Sequence, residues 1–248
     1  MSIRNQLRSV VTLAWFDGFL PNLRSPLNTV NFVISPLTIL FFIYLFATPN
    51  EAKFAVAGGL VAVIVGSSII LETEAAFIRL VTKLQDMFVA SPTPQASYVL
   101  GLAIGMLFNG LPGIVLFSVL LSLGAAISPV QGFLIGLAAA LTWAAISALG
   151  FMISTFARDM RDLWVYSPLL TVLLAFLPPV FYPISKIPEN FRFLAYLAPT
   201  TYTAQIIQQA AGLVPSTSTD VAWNLVGAFV YTIGLVGLAA ALSRWRQK

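Results

Sequence analysis

Residues 98–123 read YVLGLAIGMLFNGLPGIVLFSVLLSL, and this stretch contains no Asp, Glu, Lys or Arg. A helix that crosses the hydrocarbon core of a bilayer needs about 20 predominantly apolar residues, so the stretch is long enough to span. Asn109 lies near its middle, beside Gly110 and close to Pro112, where a helix can open its backbone. The stretch therefore predicts a membrane-spanning helix with a neutral polar group at its centre.

Five further stretches have the same character, so the chain has six candidate spans. The chain is 58% hydrophobic and 9% charged, whereas soluble domains average about 25% charged residues. We therefore expect an all-α integral membrane protein, with one domain over residues 1–248 and six transmembrane helices. The other predicted spans cover residues 28–47, 54–71, 131–156, 163–181 and 221–242.

The distribution of Lys and Arg predicts the orientation, because the cytoplasmic loops of membrane proteins carry an excess of both. With both termini in the cytoplasm, ten of the 13 Lys and Arg residues lie inside, and only Lys53, Lys186 and Arg192 lie outside. We therefore expect a multi-pass protein with both termini cytoplasmic. The ten inner residues are Arg4, Arg8, Arg24, Arg79, Lys83, Arg158, Arg161, Arg244, Arg246 and Lys248.

The N-terminal segment, residues 1–20, has apolar residues at helical spacing with polar residues elsewhere around the wheel. This pattern is typical of an amphipathic helix that lies on the inner face of a membrane. The alternative is a frayed polar leader. The apolar positions are Ile3, Leu7, Val10, Val11, Ala14 and Trp15.

Residues 72–97 form the longest predicted cytoplasmic connection, and a helical element is expected within it at residues 79–94. Leu80, Leu84, Met87 and Phe88 fall at helical spacing, and the turn-forming sequence SPTP follows at residues 91–94. An apolar ridge in water usually has a partner. Two interpretations are open: the ridge docks a cytoplasmic partner, or it packs on its own membrane bundle.

The composition excludes several kinds of chemistry. The chain has no His and no Cys, so His/Cys zinc sites, thiol nucleophiles and Ser-His triads cannot be built. No Gly is followed by Lys, which excludes the phosphate-binding loop G-x-x-x-x-G-K-[ST]. For these reasons we expect no metal site and no cofactor in this chain. We also expect no nucleic-acid partner, because the net charge of +4 is spread over the membrane ends.

The six predicted spans contain no ionisable Asp, Glu, Lys or Arg. Gradient-driven transporters commonly carry such a residue in the membrane, because the coupling ion must bind there. If the protein transports a substrate uphill, the energy must come from another subunit. That subunit would dock on the cytoplasmic side, where residues 79–94 are the best candidate.

The outer segment at residues 182–202, YPISKIPENFRFLAYLAPTTY, is apolar but divided by Pro183, Pro188 and Pro199. Each piece between prolines is too short to cross a bilayer. The segment is expected either to lie in the outer interface or to dip into the membrane where protein covers its backbone.

The chain resembles the ABC-2 type permeases, the membrane subunits of one class of ATP-binding-cassette exporters. The resemblance rests on residues 154–209 and on residues 83–101, KLQDMFVASPTPQASYVLG, which look like the family's loop after span two. Two features depart from the family pattern: Pro178 and Pro179 stand where relatives commonly have Ser and Gly, and no Gly-Thr pair follows Glu74. The pattern FYPI...IP..FR.LAYL.P.TY is matched by Phe181, Tyr182, Pro183, Ile184, Ile187, Pro188, Phe191, Arg192, Ala195, Tyr196, Leu197, Pro199, Thr201 and Tyr202.

The resemblance implies a homodimeric permease in the cytoplasmic membrane of a prokaryote, with two ATPase subunits that bind ATP and Mg. It implies export of an amphiphilic or hydrophobic substrate such as a drug, a lipid or a lipid-linked glycan, and a re-entrant helical hairpin as outer gate. The implied ATPase-docking residues are Arg4, Arg8, Leu80, Lys83, Leu84, Asp86, Met87, Phe88, Ser91 and Pro92. The implied outer-gate residues are Tyr182, Pro183, Pro188, Phe191, Tyr196, Pro199 and Tyr202. The candidate pathway residues are Asn31, Phe32, Thr38, Phe42, Ser67, Asn109, Thr171 and Phe176.

Two other functions were weighed. A gradient-driven carrier or channel needs no ATPase partner, and its transport would survive ATP depletion. A membrane enzyme would need an acid, base or nucleophile in the bilayer. The nearest carboxylates, Asp159 and Asp162, alternate with Arg158 and Arg161 in what reads as a solvated turn, so we do not expect an enzyme.

Overall fold

The computed structural model describes residues 3–24, 26–46 and 48–245. The chain is 83% helical, and no strand occurs among the described residues, which confirms the all-α prediction. The leader is α1, Ile3–Ala14, followed by a π-helical turn at Trp15–Phe19 and by α2, Leu20–Arg24. The other helices are α3, Pro26–Phe46; α4, Pro49–Ile69; α5, Leu71–Leu80; α6, Leu84–Ala90; α7, Gln95–Gly124; α8, Pro129–Phe156; α9, Met160–Thr171; α10, Arg192–Ala195; α11, Pro199–Ala210; and α12, Ser218–Leu242.

Four helices of the described chain are long and apolar enough to cross a membrane: Glu51–Leu80, Gln95–Gly124, Pro129–Phe156 and Ser218–Leu242. The helix that holds the predicted second span, 54–71, is therefore longer than that span. α4 continues into α5 with only a slight break at Ile70, whose φ and ψ of −59° and −18° remain helical, because no Gly or Pro interrupts this stretch. Residues 72–80, predicted as a cytoplasmic connection, are helical.

At the predicted fifth span, 163–181, the helix ends before the predicted end of the span. α9 starts at Met160 and continues as a π-helical turn, Val172–Phe176. The helix ends there because two consecutive prolines, Pro178 and Pro179, cannot continue its hydrogen bonding. α3 and α9 occupy the places predicted for spans one and five, and the count of six spans stays a prediction.

α4 is the centre of the bundle. Its most apolar window is 78% buried, compared with 17% for α12, because α3, α7, α8 and α11 surround it. Small residues allow this close packing: a Cβ on Gly59 would lie 2.2 Å from the Phe117 ring, and one on Gly110 would lie 2.7 Å from the Ser67 side chain. Without a hydrophobic driving force between helices in lipid, such contacts are the main source of association.

The leader helix packs lengthwise on α7. Leu13 faces Gly101, the backbones of Gly18 and Gly105 touch, and the Asn22 side-chain amide donates to Asn109 Oδ1 at 2.5 Å. Residue numbers increase together along the two helices, so they run parallel. The leader is amphipathic, and its paired glycine contact lets its backbone meet that of α7. Its position on the membrane surface stays a prediction.

α11 was not foreseen in the sequence, and it is a buried helix of 12 residues, 11 of which are buried. The Thr203 hydroxyl pairs with that of Thr142 at the middle of α8. Nearby, the Tyr231 hydroxyl at the middle of α12 donates to the Tyr196 carbonyl at 2.9 Å. The chain from Tyr196 to Thr203 therefore lies level with the centres of two long helices.

Candidate functional site

A cleft of about 920 Å³ separates the leader helix from α6. Arg8, Thr12 and Asp17 line it from the leader side, and Leu84 and Met87 line it from α6. These two walls are more than 60 residues apart in sequence, and packing of the leader on α7 brings them together. The cleft is bordered by residues from both elements that the sequence singled out for docking.

The predicted apolar ridge divides into two halves. Phe88 packs on the bundle, with its ring 5.2 Å from that of Tyr98, and Leu80 is half-buried. Leu84 and Met87 are 46% and 68% exposed. The packing interpretation therefore holds for one half of the ridge, which anchors α6. The other half presents two large apolar side chains to the surface, and docking of a partner there stays a prediction.

The start and end of α6 are fixed by local geometry. Lys83 precedes the helix with φ of +56°, in the left-handed region that few non-glycine residues adopt. At the other end, the Ser91 hydroxyl donates to the Phe88 carbonyl at 2.8 Å and accepts from the Thr93 amide. Lys83, Asp86 and Pro92 are exposed beside the cleft without lining it. Among the leader arginines, Arg8 lines the cleft and Arg4 does not.

A cluster of aromatic rings connects α6 to the C-terminal end of the described chain. Tyr98 lies 4.6 Å from Trp245, and Phe151 of α8 lies 6.5 Å from Trp245, between ring centroids. Gln85 of α6 is buried and donates to the Trp245 carbonyl at 3.4 Å. The sequence analysis missed this cluster, because its members are scattered along the chain.

Arg79, in the last turn of α5, anchors this helix to α8. Its guanidinium donates to the carbonyls of Ser154 and Ala157 at 2.6 and 2.5 Å, which are carbonyls at the C-terminal end of α8. A cation at this position also interacts favourably with the helix dipole. α5 and α6 are therefore tied to α8, and displacement of α6 would be transmitted to the bundle.

Asp17 lies in the π-helical turn of the leader, at the cleft, and burial raises its pKa from 3.8 to about 6. Ionised Asp17 therefore destabilises the folded chain relative to the neutral acid. The contribution of Asp17 to stability is therefore fully present below about pH 4, is lost as the pH rises through about 6, and does not change further above about pH 7.

The Asp17→Asn variant is expected to lose this pH dependence. Its free energy of unfolding should equal that of the wild type near pH 4 and exceed it at pH 8 by on the order of 1–3 kcal/mol. Thermal unfolding of the detergent-solubilised protein between pH 4 and pH 8 measures the difference. An equal difference at both pH values would contradict the assignment.

The outer segment is held by one buried side chain. Gln208 of α11 donates to the carbonyls of Pro179, Val180 and Tyr182 at 3.2, 3.3 and 3.4 Å. These carbonyls follow the end of α9, so Gln208 replaces the lost helical hydrogen bonds. Among the predicted gate residues, the rings of Tyr196 and Tyr202 lie 5.5 Å apart.

The remaining gate residues are spread along the segment. Pro183 and Pro188 precede short 3₁₀ turns, and Pro199 starts α11. The Tyr182 hydroxyl donates to the Leu177 carbonyl at 3.1 Å, and Phe191 is 58% exposed. The structure therefore brings Tyr196 and Tyr202 together, whereas Phe191 points away from the bundle.

The predicted pathway residues whose side chains are described lie in several separate environments. Ser67 is fully buried and donates to the Ile64 carbonyl, Asn109 accepts from Asn22, and the Phe176 ring stacks on that of Phe181. Thr171 donates within its own helix, to the Ser167 carbonyl. Thr38 and Phe42 of α3 are exposed. The side chains of Asn31 and Phe32 lie outside the described residues.

Glu72 is a buried ionisable residue directly after the predicted second span, 54–71. It lies within the long apolar helix Glu51–Leu80, and its residue is fully buried beside Gly150 of α8. The Ser167 hydroxyl is near enough to interact, yet neither carboxyl oxygen has a well-formed hydrogen bond to a described residue. The sequence analysis missed it because the predicted span stopped at the residue before it.

A family model described as ABC-2 type transporter matches residues 11–211. The chain belongs to the ABC-2 type transporter family. The match extends from the middle of the leader to the end of α11, so it includes the cleft, α6 and the outer segment of this ABC-2 protein. A search of curated proteins found no significant match. Members of the family generally pair with an ABC ATPase subunit, and the chain is a multi-pass membrane transport permease.

Proposed function

We propose that this ABC-2 protein is the permease subunit of an ATP-driven exporter, powered by a separate ATPase subunit that docks at the cleft between α1 and α6. The observation that carries the proposal is the exposure of Leu84 and Met87 at the cleft. Large apolar side chains that are exposed together on a protein surface commonly mark a site where a partner binds. Arg79 and the aromatic cluster give this surface a mechanical link to the bundle.

In this proposal the ATPase subunits bind ATP and Mg, and the permease itself is not an enzyme. Docking brings charged Lys83 and Asp86 to the rim of the interface, where they fix orientation. Hydrolysis moves α6, and Arg79 transmits the movement to α8. Both termini and the cleft lie on the cytoplasmic side of a prokaryotic cytoplasmic membrane.

We further propose that the permease works as a homodimer of six-span chains. α3 and α9 pack on α4 with one face each and expose large apolar side chains on the other, among them Ile34, Phe41, Trp164 and Leu169. A pathway for an amphiphilic or hydrophobic cargo, such as a drug, a lipid or a lipid-linked glycan, would lie between two such faces. Thr38 and Phe42 of α3 would then border it.

The outer segment is proposed to be a re-entrant hairpin that closes this pathway. The position of Tyr196 and Thr203 level with the middles of α8 and α12 supports it. α11 is about 18 Å long, which is too short to cross the hydrocarbon core. Its backbone is covered by protein, as a re-entrant segment requires.

Exchange of the charges at the cleft rim tests the docking assignment. In the Lys83→Glu/Asp86→Lys variant, the net charge is unchanged but the local field is reversed. We expect the ATPase to remain active while transport falls at least about tenfold, because the subunit docks in a wrong orientation. ATP hydrolysis and transport are measured on the same vesicles. Unchanged partner binding together with unchanged transport would contradict the assignment.

Buried Glu72 favours one alternative function, a carrier driven by a proton gradient, because intramembrane carboxyl groups commonly bind coupling ions. The Glu72→Gln variant separates the two functions. Gln has the shape of the neutral acid, so an ATP-driven exporter should keep ATP-dependent transport within about twofold of the wild type. Loss of transport driven by an imposed proton gradient, with an intact fold, would favour the carrier.

A further inference from the structure

A second cavity, distinct from the cleft, lies between α7, α8 and α12. Its volume is about 450 Å³, within the roughly 300–1,000 Å³ typical of small-molecule sites. Small side chains create the space, including Ala103 of α7, Ala144 of α8 and Ala240 of α12. None of its lining residues within the described ranges is charged.

The cavity opens sideways. Leu100 and Val236, which line it, are 48% and 45% exposed. Both belong to helices long and apolar enough to cross the membrane, so the opening faces hydrocarbon. Membrane lipid can therefore enter the cavity, and a lipid acyl chain matches the apolar lining.

The cytoplasmic end of the cavity is polar. Gln95 lines it and donates to the Ser243 hydroxyl at 2.5 Å. The next residue, Arg244, is exposed, and its guanidinium lies 4.9 Å from the centroid of the Phe156 ring at the end of α8. Because Arg244 directly follows Ser243 in the chain, a cation lies near the polar end of the cavity, and it favours an anionic lipid headgroup.

Ser147 supplies a second polar contact deeper in the cavity. It is 3% exposed, and its hydroxyl has no hydrogen-bond partner among the described residues. Ser147 lies one helical turn, about 5.4 Å, farther into the membrane than Phe151, which also lines the cavity. A buried hydroxyl without a partner is costly, and an acceptor on a ligand would relieve this cost.

We propose that this cavity is a binding site for one acyl chain of an anionic glycerophospholipid. The headgroup lies at Arg244, an ester carbonyl accepts from the Ser147 hydroxyl, and the chain extends along α8 to Trp143. The site is separate from the proposed docking cleft and does not depend on ATPase coupling.

Trp143 provides the probe, because it lines the cavity. The full chain is prepared with Trp143 as its only tryptophan, through Trp15→Phe, Trp164→Phe, Trp223→Phe and Trp245→Phe. It is reconstituted in phosphatidylcholine vesicles with increasing fractions of acyl-chain-brominated phosphatidylglycerol. We expect fluorescence quenching that saturates at a low mole fraction, whereas brominated phosphatidylcholine requires about tenfold more.

Two matched substitutions on α8 locate the site. Ala144→Leu fills the cavity and is expected to raise the half-saturating fraction about tenfold. Ala140→Leu makes the same change at an exposed position outside the lining. This variant should have the same half-saturating fraction as the wild type. Ser147→Ala and Arg244→Gln should each weaken binding, and Arg244→Gln should also remove the preference for phosphatidylglycerol.

Three results would overturn the proposal. Quenching that rises in proportion to lipid fraction and is equal in both alanine variants would mean random contact with surrounding lipid. Equal quenching by brominated dodecane would mean that the cavity merely dissolves hydrocarbon. Protection of Trp143 from every brominated lipid would mean that protein, such as a second copy of the chain, fills the cavity.

Discussion

The Leu84→Glu/Met87→Glu variant is expected to lose its ATPase partner and, with it, all ATP-dependent transport. Both side chains are exposed at the cleft, so the substitution leaves the bundle core intact. Burying two carboxylates in an apolar contact carries a desolvation cost in addition to the lost apolar area. Interface anchors typically contribute about 2 kcal/mol or more each, so loss of both anchors should lower the affinity on the order of 1,000-fold.

The measurement is co-purification of the ATPase with the permease in detergent, followed by titration of the binding affinity. Leu84→Met/Met87→Leu is the matched control, because it exchanges the two side chains and keeps the surface apolar. It should bind within about threefold of the wild type. Wild-type affinity in the glutamate variant, with normal unfolding temperature, would place the docking surface elsewhere.

The Gly18→Leu variant is expected to detach the leader from α7. A Cβ at Gly18 would lie 2.3 Å from the Gly105 carbonyl oxygen and 2.4 Å from its Cα. Backbone atoms cannot move aside as the end of a flexible side chain can, so the helices must separate. Overpacking of this kind costs about 1–3 kcal/mol or more, and separation also opens one wall of the cleft.

Gly136→Leu is the matched control for Gly18, since nothing lies within 4 Å of a Cβ at that position of α8. Leu has a higher helix propensity than Gly, so this variant should be neutral or stabilised by up to about 1 kcal/mol. Thermal unfolding in detergent and ATPase binding are measured for both. Equal stability of the two variants would contradict the leader packing described above.

Periodicity in the sequence predicted the leader and α6 well, because both are amphipathic over several turns. It could not predict where the leader packs, since any of several glycines could have faced Gly18. Phe88 and Met87 belong to one predicted ridge, yet only the fold separates the buried ring from the exposed side chain. The sequence shows which residues share one face of a helix. Which part of the protein packs against that face depends on residues that are distant in the chain.

Two further features were hidden for physical reasons. α11 is short and rich in Thr and Gln, so it lacks the hydropathy by which spans are recognised. Thr203 pairs with Thr142 of α8, and Gln208 donates to carbonyls that follow α9. Glu72 was assigned to a loop because a charge normally ends a span. The helix continues past it because backbone hydrogen bonding, unlike hydropathy, is not interrupted there.

Reconstitution in sealed vesicles tests the central claim most directly, that the driving force enters through a docked ATPase. The purified permease is incorporated alone or with its ATPase, and accumulation of a fluorescent lipophilic dye is followed with ATP or with an imposed ion gradient. Accumulation is predicted only when ATPase and ATP are both present. Accumulation by the permease alone, driven by a proton or sodium gradient, would contradict the account.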